Sequence, residues 1–320
     1  MNTTKGLLTV IVLCYGQNHL IEDALNSIFE QDYPLIELIV SEDGSNSFEK
    51  APVINYIKNN AGSNIRSFQV IVNEKNKGTV GNINGALNYA SGEYIKLIAA
   101  DDTYPNEKVF SRQVSVLKSE NYEIVVGNIV ECDAKLQPLD IFGFSQLKIE
   151  ELLANKKDAL LKYVCLKNPR VLATQAICFK KSFFEKYGCF DERFRLVEDL
   201  PLAVKIAAEN VKIGYDNSEC VKHRGSVGIS TSNNLFDNKR INYYKDLETY
   251  FKCILMPLSD RIGHKSYIKM RLSVATFRIK YCESTNSVQR LKLLLRYSLS
   301  LIEYAFFQRK RAKNYLNNIR

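Results

Sequence analysis

Tryptophan is absent from this 320-residue chain, histidine occurs three times, and glycine and proline number only 15 and 7. So little glycine and proline excludes collagen-like and low-complexity chains. The eight cysteines, at 14, 132, 165, 178, 189, 220, 253 and 282, include no C-x-x-C pair, which argues against zinc ribbons and thioredoxin chemistry. Two nucleotide-binding loops are missing as well. A dinucleotide-binding Rossmann sheet needs G-x-G-x-x-G after its first strand, and the turn here, Cys14-Tyr15-Gly16-Gln17-Asn18-His19, has a single glycine. No G-x-x-x-x-G-K-[ST] occurs either, so hydride transfer on a dinucleotide and P-loop phosphoryl transfer both fall away. The apolar run Leu7–Tyr15 is far shorter than the roughly 20 residues that span a bilayer. It follows a polar start, Met1–Lys5, and leads into Gly16, Gln17 and Asn18 without a small-residue cleavage site. A disulfide framework is therefore not expected, and the expected compartment is the reducing cytoplasm.

What is present can build a sizeable core, because 46% of the residues are hydrophobic and 25% charged. The length suits one large domain and a smaller appendage, and the charge divides the chain in the same way. Residues 1–238 hold 26 Lys+Arg and 30 Asp+Glu, a net of −4, whereas 239–320 hold 18 and 5, a net of +13. A strongly basic tail on a mildly acidic body is drawn to a polyanion or an anionic membrane, or else presents a solvated helical face.

Apolar patterning gives the architecture. Leu7–Leu13 reads as a strand buried on both faces, and Leu20–Phe29 as an amphipathic helix that Pro34 stops. Ile36–Val40, Phe68–Val72 and Tyr94–Ala99 read as further strands, with a helix over Val80–Ala90 closed by Gly92. Strands alternating with helices at about 30-residue intervals indicate parallel βαβ units. In such sheets ligands bind outside the carboxyl ends of the strands, which points at Tyr15, Asp43 and Asp101-Asp102. Further on, Ile124–Val130 reads as a strand, Glu150–Val164 as a helix, Thr174–Phe179 as a short apolar run and Leu200–Ala208 as a helix behind Glu198-Asp199. Beyond 238 only helical spacing is visible. In Leu291–Phe307 the polar residues Lys292, Arg296, Ser300 and Glu303 form a narrow stripe, followed by Arg309, Lys310, Arg311 and Lys313. That pattern suits an interfacial anchor better than a spanning segment. The aromatics there, Tyr297, Tyr304, Phe306 and Phe307, are not interleaved for base stacking, so nucleic acid is not the expected partner.

A carboxylate pair at a strand end can hold a hard divalent cation against a diphosphate, since Mg²⁺ takes one or two carboxylates and keeps much of its shell for phosphate and water. Such a cation would offset the charge that develops as a nucleotide diphosphate leaves. Asp43 can accept a hydrogen bond from a base N–H, and Tyr15 can offer a stacking face. Asp199, ahead of Leu200-Pro201, also reads as a helix N-cap. Glu198 reads as a first-turn acid favoured by the helix dipole.

Four stretches in order carry a family resemblance: TVIVLCYGQNHLIEDALNSIFEQDYPLIELIVSEDGS (Thr9–Ser45), NKGTVGNINGALNYASGEYIKLIAADD (Asn76–Asp102), FDERFRLVEDLPLAVKIAA (Phe190–Ala208) and HRGSVGIS (from His223). Together they span about residues 7–232, and the chain resembles the inverting family 2 glycosyltransferases of the GT-A fold, in particular those of bacterial surface polysaccharides. The resemblance implies an α/β fold with a mostly parallel sheet flanked by helices, a nucleotide-sugar-binding catalytic domain over 1–235 and a basic helical region over 236–320. It implies that Tyr15 stacks on the base, Asp43 reads a base N–H, commonly of uracil, Asp101 lies near the ribose, and Asp102 holds Mn²⁺ or Mg²⁺ against the diphosphate. Asp199, beside Glu198, is then the general base for the acceptor hydroxyl. His223 is a candidate second metal ligand, and Arg224, with its planar fork of donors, a candidate phosphate contact.

The implied enzyme is a metal-dependent glycosyltransferase that takes a nucleotide-diphosphate sugar, commonly a UDP-sugar, and a glycan or lipid-linked acceptor. Its expected place is the cytoplasmic face of the membrane, held peripherally through 239–320, with the oligomeric state left open. Some positions depart from the family pattern. Ala99 stands where many members have Asp, Gly81 where many have Arg or Lys, Gly16 where Asn is usual, and His223 where Tyr is more common. No Q-x-x-R-W run occurs, which favours single transfers over polymerisation. A sugar-phosphate nucleotidyltransferase would carry a G-x-G-T-R-L-like loop after the first strand, and none is present. A non-catalytic, membrane-associated adaptor on a degenerate transferase body is the other alternative.

Overall fold

The first strand, β1 (Thr4–Cys14), buries Leu8, Val10, Ile11 and Val12 completely, and a strand apolar on both faces has to be covered on both faces. In the computed structural model, which describes residues 3–16, 20–143, 151–152, 158–166, 169–225 and 238–263, β1 sits between β2 (Ile36–Glu42) and β4 (Gly92–Ala99), parallel to both. β3 (Ile65–Val72) pairs parallel to β2 at the sheet's edge. The connecting helices are α1 (Ile21–Phe29), α2 (Lys50–Asn60) and α3 (Gly78–Leu87). With the strand order β3-β2-β1-β4, right-handed crossovers put α1 and α2 on one face and α3 on the other. The winding therefore reverses between β1 and β4, the position where such sheets open a ligand crevice.

The second half of the sheet departs from the parallel pattern read from the sequence. β5 (Ile124–Cys132) follows α4 (Val109–Ser119), and a tight turn at Asp133–Gln137 brings back β6 (Pro138–Phe142) antiparallel to it. β7 (Ile177–Lys180) fills the gap between β4 and β5, antiparallel to both. β8 (Ile213–Arg224) runs parallel along the other side of β5, with register shifts around Asn128. The helices of this half are α5 (Ala159–Leu166), α6 (Lys181–Tyr187) and α7 (Asp199–Ala208), and α5 packs on α7. The helix read over Glu150–Val164 lies partly outside the described residues.

The chain forms two compact units, Met1–Ser232 and Asn233–Arg320. The described part of the second unit is helical: α8 (Asn238–Tyr250), a π-helical turn (Phe251–Leu255), a 3-10 turn (Met256–Leu258) and α9 (Ser259–Ile262). The stripe at 291–307 and the basic run at 309–313 lie outside the described residues. Among the described residues no helix is long and apolar enough to cross a membrane.

A buried polar knot holds β1, β2 and β4 in register. The Glu37 carboxylate accepts from the Thr9 hydroxyl at 2.6 Å and from the Ser91 N–H and hydroxyl at 2.8 and 2.7 Å, and Thr9 Oγ1 accepts from the Gly92 N–H at 2.9 Å. A Cβ on Gly92 would lie 2.6 Å from Thr9 Oγ1 and 2.7 Å from the Leu7 carbonyl oxygen, whereas one on Gly85, in α3, would meet nothing within 4 Å. Gly92→Ala is therefore expected to lower stability by about 1–3 kcal/mol, and Gly85→Ala to raise it by up to about 1 kcal/mol through helix propensity. Urea unfolding of the two variants side by side checks both, and equal midpoints would contradict the packing described here.

Candidate active site

The carboxyl ends of β1, β2 and β4 are tied together by backbone hydrogen bonds. The Asp43 N–H donates to the Cys14 carbonyl at 2.9 Å and the Ala100 N–H to the Leu13 carbonyl at 2.8 Å. Tyr15, Asp43 and Asp101-Asp102 consequently leave the sheet along one edge, around the point where the winding reverses. Tyr15 is half-buried directly after β1, and Gly16 turns the chain with φ +73°.

Asp102 is almost fully buried, at 2% exposure, and its carboxylate is held from β8. The backbone N–H of Arg224 donates to Oδ1 at 2.9 Å, and His223 Nδ1 stands 3.0 and 3.2 Å from Oδ1 and Oδ2. The Asp102 hydrogen bond raises the His223 pKa, against the opposing effect of burial. Reciprocal backbone bonds between Thr103 and Lys222, at 3.1 and 2.7 Å, close the same junction. Asp101, His223 and Arg224 are thus brought together around Asp102.

Arg224 does not present the open phosphate fork that the sequence suggests. It is 5% exposed, and three of its five donors are engaged within the protein: Nε to the Asp101 carbonyl at 2.9 Å, Nη1 to the Ala134 carbonyl at 2.8 Å and Nη2 to the Asp23 carboxylate at 2.7 Å. The reason is its position at the last residue of β8, beneath the β5–β6 turn, where a buried guanidinium has to be satisfied internally.

Asp43, 3% exposed, is engaged as well. Oδ1 accepts from Asn73 Nδ2 at 3.1 Å and the Lys77 N–H at 2.8 Å, and Oδ2 accepts from the Gly78 N–H at 2.8 Å. Burial raises its pKa, opposed by these donors and by the nearby Arg195 charge. Oδ1 accepts two hydrogen bonds and Oδ2 one, which leaves Oδ2 one acceptor site. The carboxylate therefore caps α3 from outside the helix, and Gly78, at φ +81°, gives the backbone the left-handed turn this requires.

The loop carrying the last two predicted residues is fastened to the same helix. Asn84 exchanges hydrogen bonds with the Phe190 backbone at 2.9 and 3.1 Å, the Val80 N–H donates to the Arg195 carbonyl at 3.2 Å, and Arg195 Nη2 binds the Asn76 carbonyl at 2.9 Å. Three residues beyond Arg195, Glu198 occupies the N-cap of α7 without a capping side-chain bond, and Asp199 is the first helical residue. The order read from the sequence is thus reversed: Glu198 is the cap position and Asp199 the first-turn acid. Asp199 Oδ1 accepts from the Leu200 N–H at 2.8 Å, and both acids are half-buried.

Among the described residues no three His, Cys, Asp or Glu side chains cluster to hold a metal. Asp102 and His223 nevertheless suit two positions of a shell completed by others. Here they are hydrogen-bonded to one another at 3.0 Å, so His223 would have to be neutral, with Nδ1 free of its proton, to join such a shell. A carboxylate and an imidazole are also a donor pair that Mn²⁺ accepts.

Sequence reasoning passed over three residues. Asp23 and Arg195 sit in ordinary helix and loop contexts and carry no local signal. Lys77 did carry one, because it stands one helical turn before Gly81. A Cβ on Gly81 would lie 2.8 Å from the Lys77 Cβ, so the exposed Lys77 stem runs over the glycine.

A family model described as "Glycosyl transferase family 2" matches residues 9–183, more than half of the chain. The chain is 30% identical over 122 residues, 38% of its own length and 45% of the other's, to a UDP-Glc:α-D-GlcNAc-diphosphoundecaprenol β-1,3-glucosyltransferase of Escherichia coli. It is 27% identical over 302 residues, 83% of its length and 93% of the other's, to a GalNAc(5)-diNAcBac-PP-undecaprenol β-1,3-glucosyltransferase of Campylobacter jejuni. Among solved structures, the mannosyltransferase PcManGT from Pyrobaculum calidifontis, in complex with GDP-Man and Mn²⁺, superposes with a TM-score of 0.54 at 18% identity, covering 92% of this chain and 80% of that one. At that identity the likeness establishes the fold.

Because Asp43 caps α3 with both oxygens, Asp43→Asn turns an amide N–H₂ toward a backbone N–H. A loss of about 1–3 kcal/mol is expected, measured as a lower urea midpoint without ligand. An unchanged midpoint would remove the capping role.

Proposed function

The chain belongs to glycosyl transferase family 2 and has the GT-A fold, and from that premise we propose an inverting, non-processive, metal-dependent transferase. It moves one sugar from a nucleotide-diphosphate donor, a UDP-sugar, to a hydroxyl of a glycan or lipid-linked acceptor in bacterial surface-polysaccharide synthesis. The observation that carries this reading is the buried Asp102 carboxylate, held by β8 at the edge where Tyr15 and Asp43 also leave the sheet. The two curated relatives, whose names specify diphosphoundecaprenol or PP-undecaprenol substrates, support a lipid-linked acceptor, and the first supports a UDP-sugar.

In this reading Tyr15 stacks on the base, and the remaining acceptor site of Asp43 Oδ2 takes a base N–H. Asp101 faces the ribose. Asp102 and His223 hold Mn²⁺ or Mg²⁺, which when bound offsets the charge developing on the leaving diphosphate. Lys77 supplies the cation missing at Gly81. Asp199, with Glu198 beside it, takes the proton of the acceptor hydroxyl. The acceptor oxygen forms its bond to the anomeric carbon as the bond to the diphosphate breaks, the diphosphate leaves with the electron pair, and the configuration inverts. The basic stretch 239–320 holds the enzyme peripherally on the cytoplasmic membrane face, each Lys or Arg near an anionic leaflet contributing about 1 kcal/mol.

Thermal shift with UDP, GDP, CMP and the triphosphates UTP and GTP, each with and without Mn²⁺, tests the reading. A Mn²⁺-dependent stabilisation by UDP is expected; a response to nucleoside triphosphates alone would point to a nucleotidyltransferase, and no response to an adaptor. Asp199→Asn is expected to lower the turnover of a competent donor and acceptor by at least about a hundredfold while leaving the UDP affinity within twofold. Full activity in that variant would exclude Asp199 as the base.

A further inference from the structure

Four separate segments meet at one buried side chain. The Arg224 guanidinium joins the carboxylate of Asp23 on α1, the carbonyl of Asp101 after β4 and the carbonyl of Ala134 in the β5–β6 turn, at 2.7, 2.9 and 2.8 Å, while its own backbone N–H holds Asp102 at 2.9 Å. The guanidinium is planar and rigid, so fixing one of its edges fixes the others. Its side chain is 6% exposed and that of Asp23 54%. The arginine is locked in place, and the aspartate reaches it from the surface. Gly225 allows this close approach: its N–H donates to the Cys132 carbonyl at 2.9 Å, and a Cβ there would lie 2.6 Å from that oxygen.

We infer that Asp23 and Arg224 form a strut that sets the Asp101-Asp102 loop for cation-dependent donor binding, which makes both of them positioning residues. The inference rests on the transferase reading above. Two physical effects act in the same direction. The strut holds the Asp101 carbonyl, and with it the turn that aims the Asp102 carboxylate. Asp23 also offsets the guanidinium charge, which would otherwise stand uncompensated beside Asp102 and oppose a divalent cation there. Removing Asp23 leaves a buried guanidinium without its carboxylate partner, so some loss of stability accompanies the loss in binding, and the comparison of Mn²⁺ with EDTA separates the two. The competing view is that Asp23 is only a first-turn acid favoured by the α1 dipole. Glu22 shares that first turn and serves as the control.

Isothermal titration of UDP into the full chain, in Mn²⁺ and separately in EDTA, tests the strut. Asp23→Asn is expected to raise the UDP Kd in Mn²⁺ by about tenfold, as loss of a group supporting a metal ligand does, with the Kd in EDTA unchanged within twofold. Asp23→Glu is expected to restore most of the affinity, and Glu22→Gln to leave it unaltered. Arg224→Lys, which keeps the charge and loses the fork, is expected to match or exceed Asp23→Asn. The strut is overturned if Asp23→Asn behaves like Glu22→Gln in Mn²⁺. It is equally overturned if Asp23→Asn or Arg224→Lys weakens UDP as much in EDTA as in Mn²⁺, because that is the mark of direct nucleotide contact or general loosening. A wild-type chain that shows no Mn²⁺-dependent UDP binding would overturn the transferase reading, and the strut with it.

Discussion

The site depends on the attachment of one loop, the turn after β4, to the end of β8. Asp102 and His223 are 121 residues apart in sequence and 3.0 Å apart in space, and the neighbouring Arg224 N–H adds a second bond to the same carboxylate. Burying a carboxylate is costly unless hydrogen bonds or opposite charge compensate it. Here hydrogen bonds from β8 do so, and they also fix where the carboxylate sits. A side chain held this way loses little further freedom when a ligand arrives, which is the condition for a pre-organised site.

The mixed sheet makes this attachment geometrically possible. The doubly wound half, β3-β2-β1-β4, opens its crevice at the reversal between β1 and β4. The half built on β5 brings β8 in parallel beside it, so that β8 ends next to the turn after β4. A second anchorage, on α3, uses different means. Asp43 caps the helix from β2, and the loop ending at Glu198-Asp199 is bonded to its first and second turns. Acids from three parts of the chain line this region. The basic groups near them, Lys77, Arg195 and His223, come from elements that no sequence motif links.

Local pattern made the first half of the fold legible. Continuous apolar runs marked β1, β2 and β4, and amphipathic spacing marked α1, α3 and α7, with ends displaced by a few residues. α2 went unread because its apolar stripe is thin, burying only Val53 and Ile57; α4 buries Val109, Phe110, Val114 and Leu117, a helical spacing that the sequence reading passed over. β8 was missed for a different reason. In IGYDNSECVKHR polar residues outnumber apolar ones, and its pairing with β5 shifts register midway, so it carries no clean two-residue period. β6 and β7 are short, and their antiparallel direction follows from a turn and a gap-filling pairing that no local window contains.

The sequence by itself determined that an α/β sheet would form and that Tyr15, Asp43 and Asp101-Asp102 would follow strand ends, because apolar periodicity and turn chemistry are local properties of the chain. It also supplied the family, through motifs kept in order. Only the tertiary structure decided which donors each of those side chains would meet. The packing of β8 against β5 turned Arg224 inward onto Asp23, Asp101 and Ala134, and set His223 against Asp102. Hydrogen-bond partners 90 to 201 residues apart are selected by which buried polar groups the packed core leaves to be satisfied together, and that condition exists only once the sheet has formed.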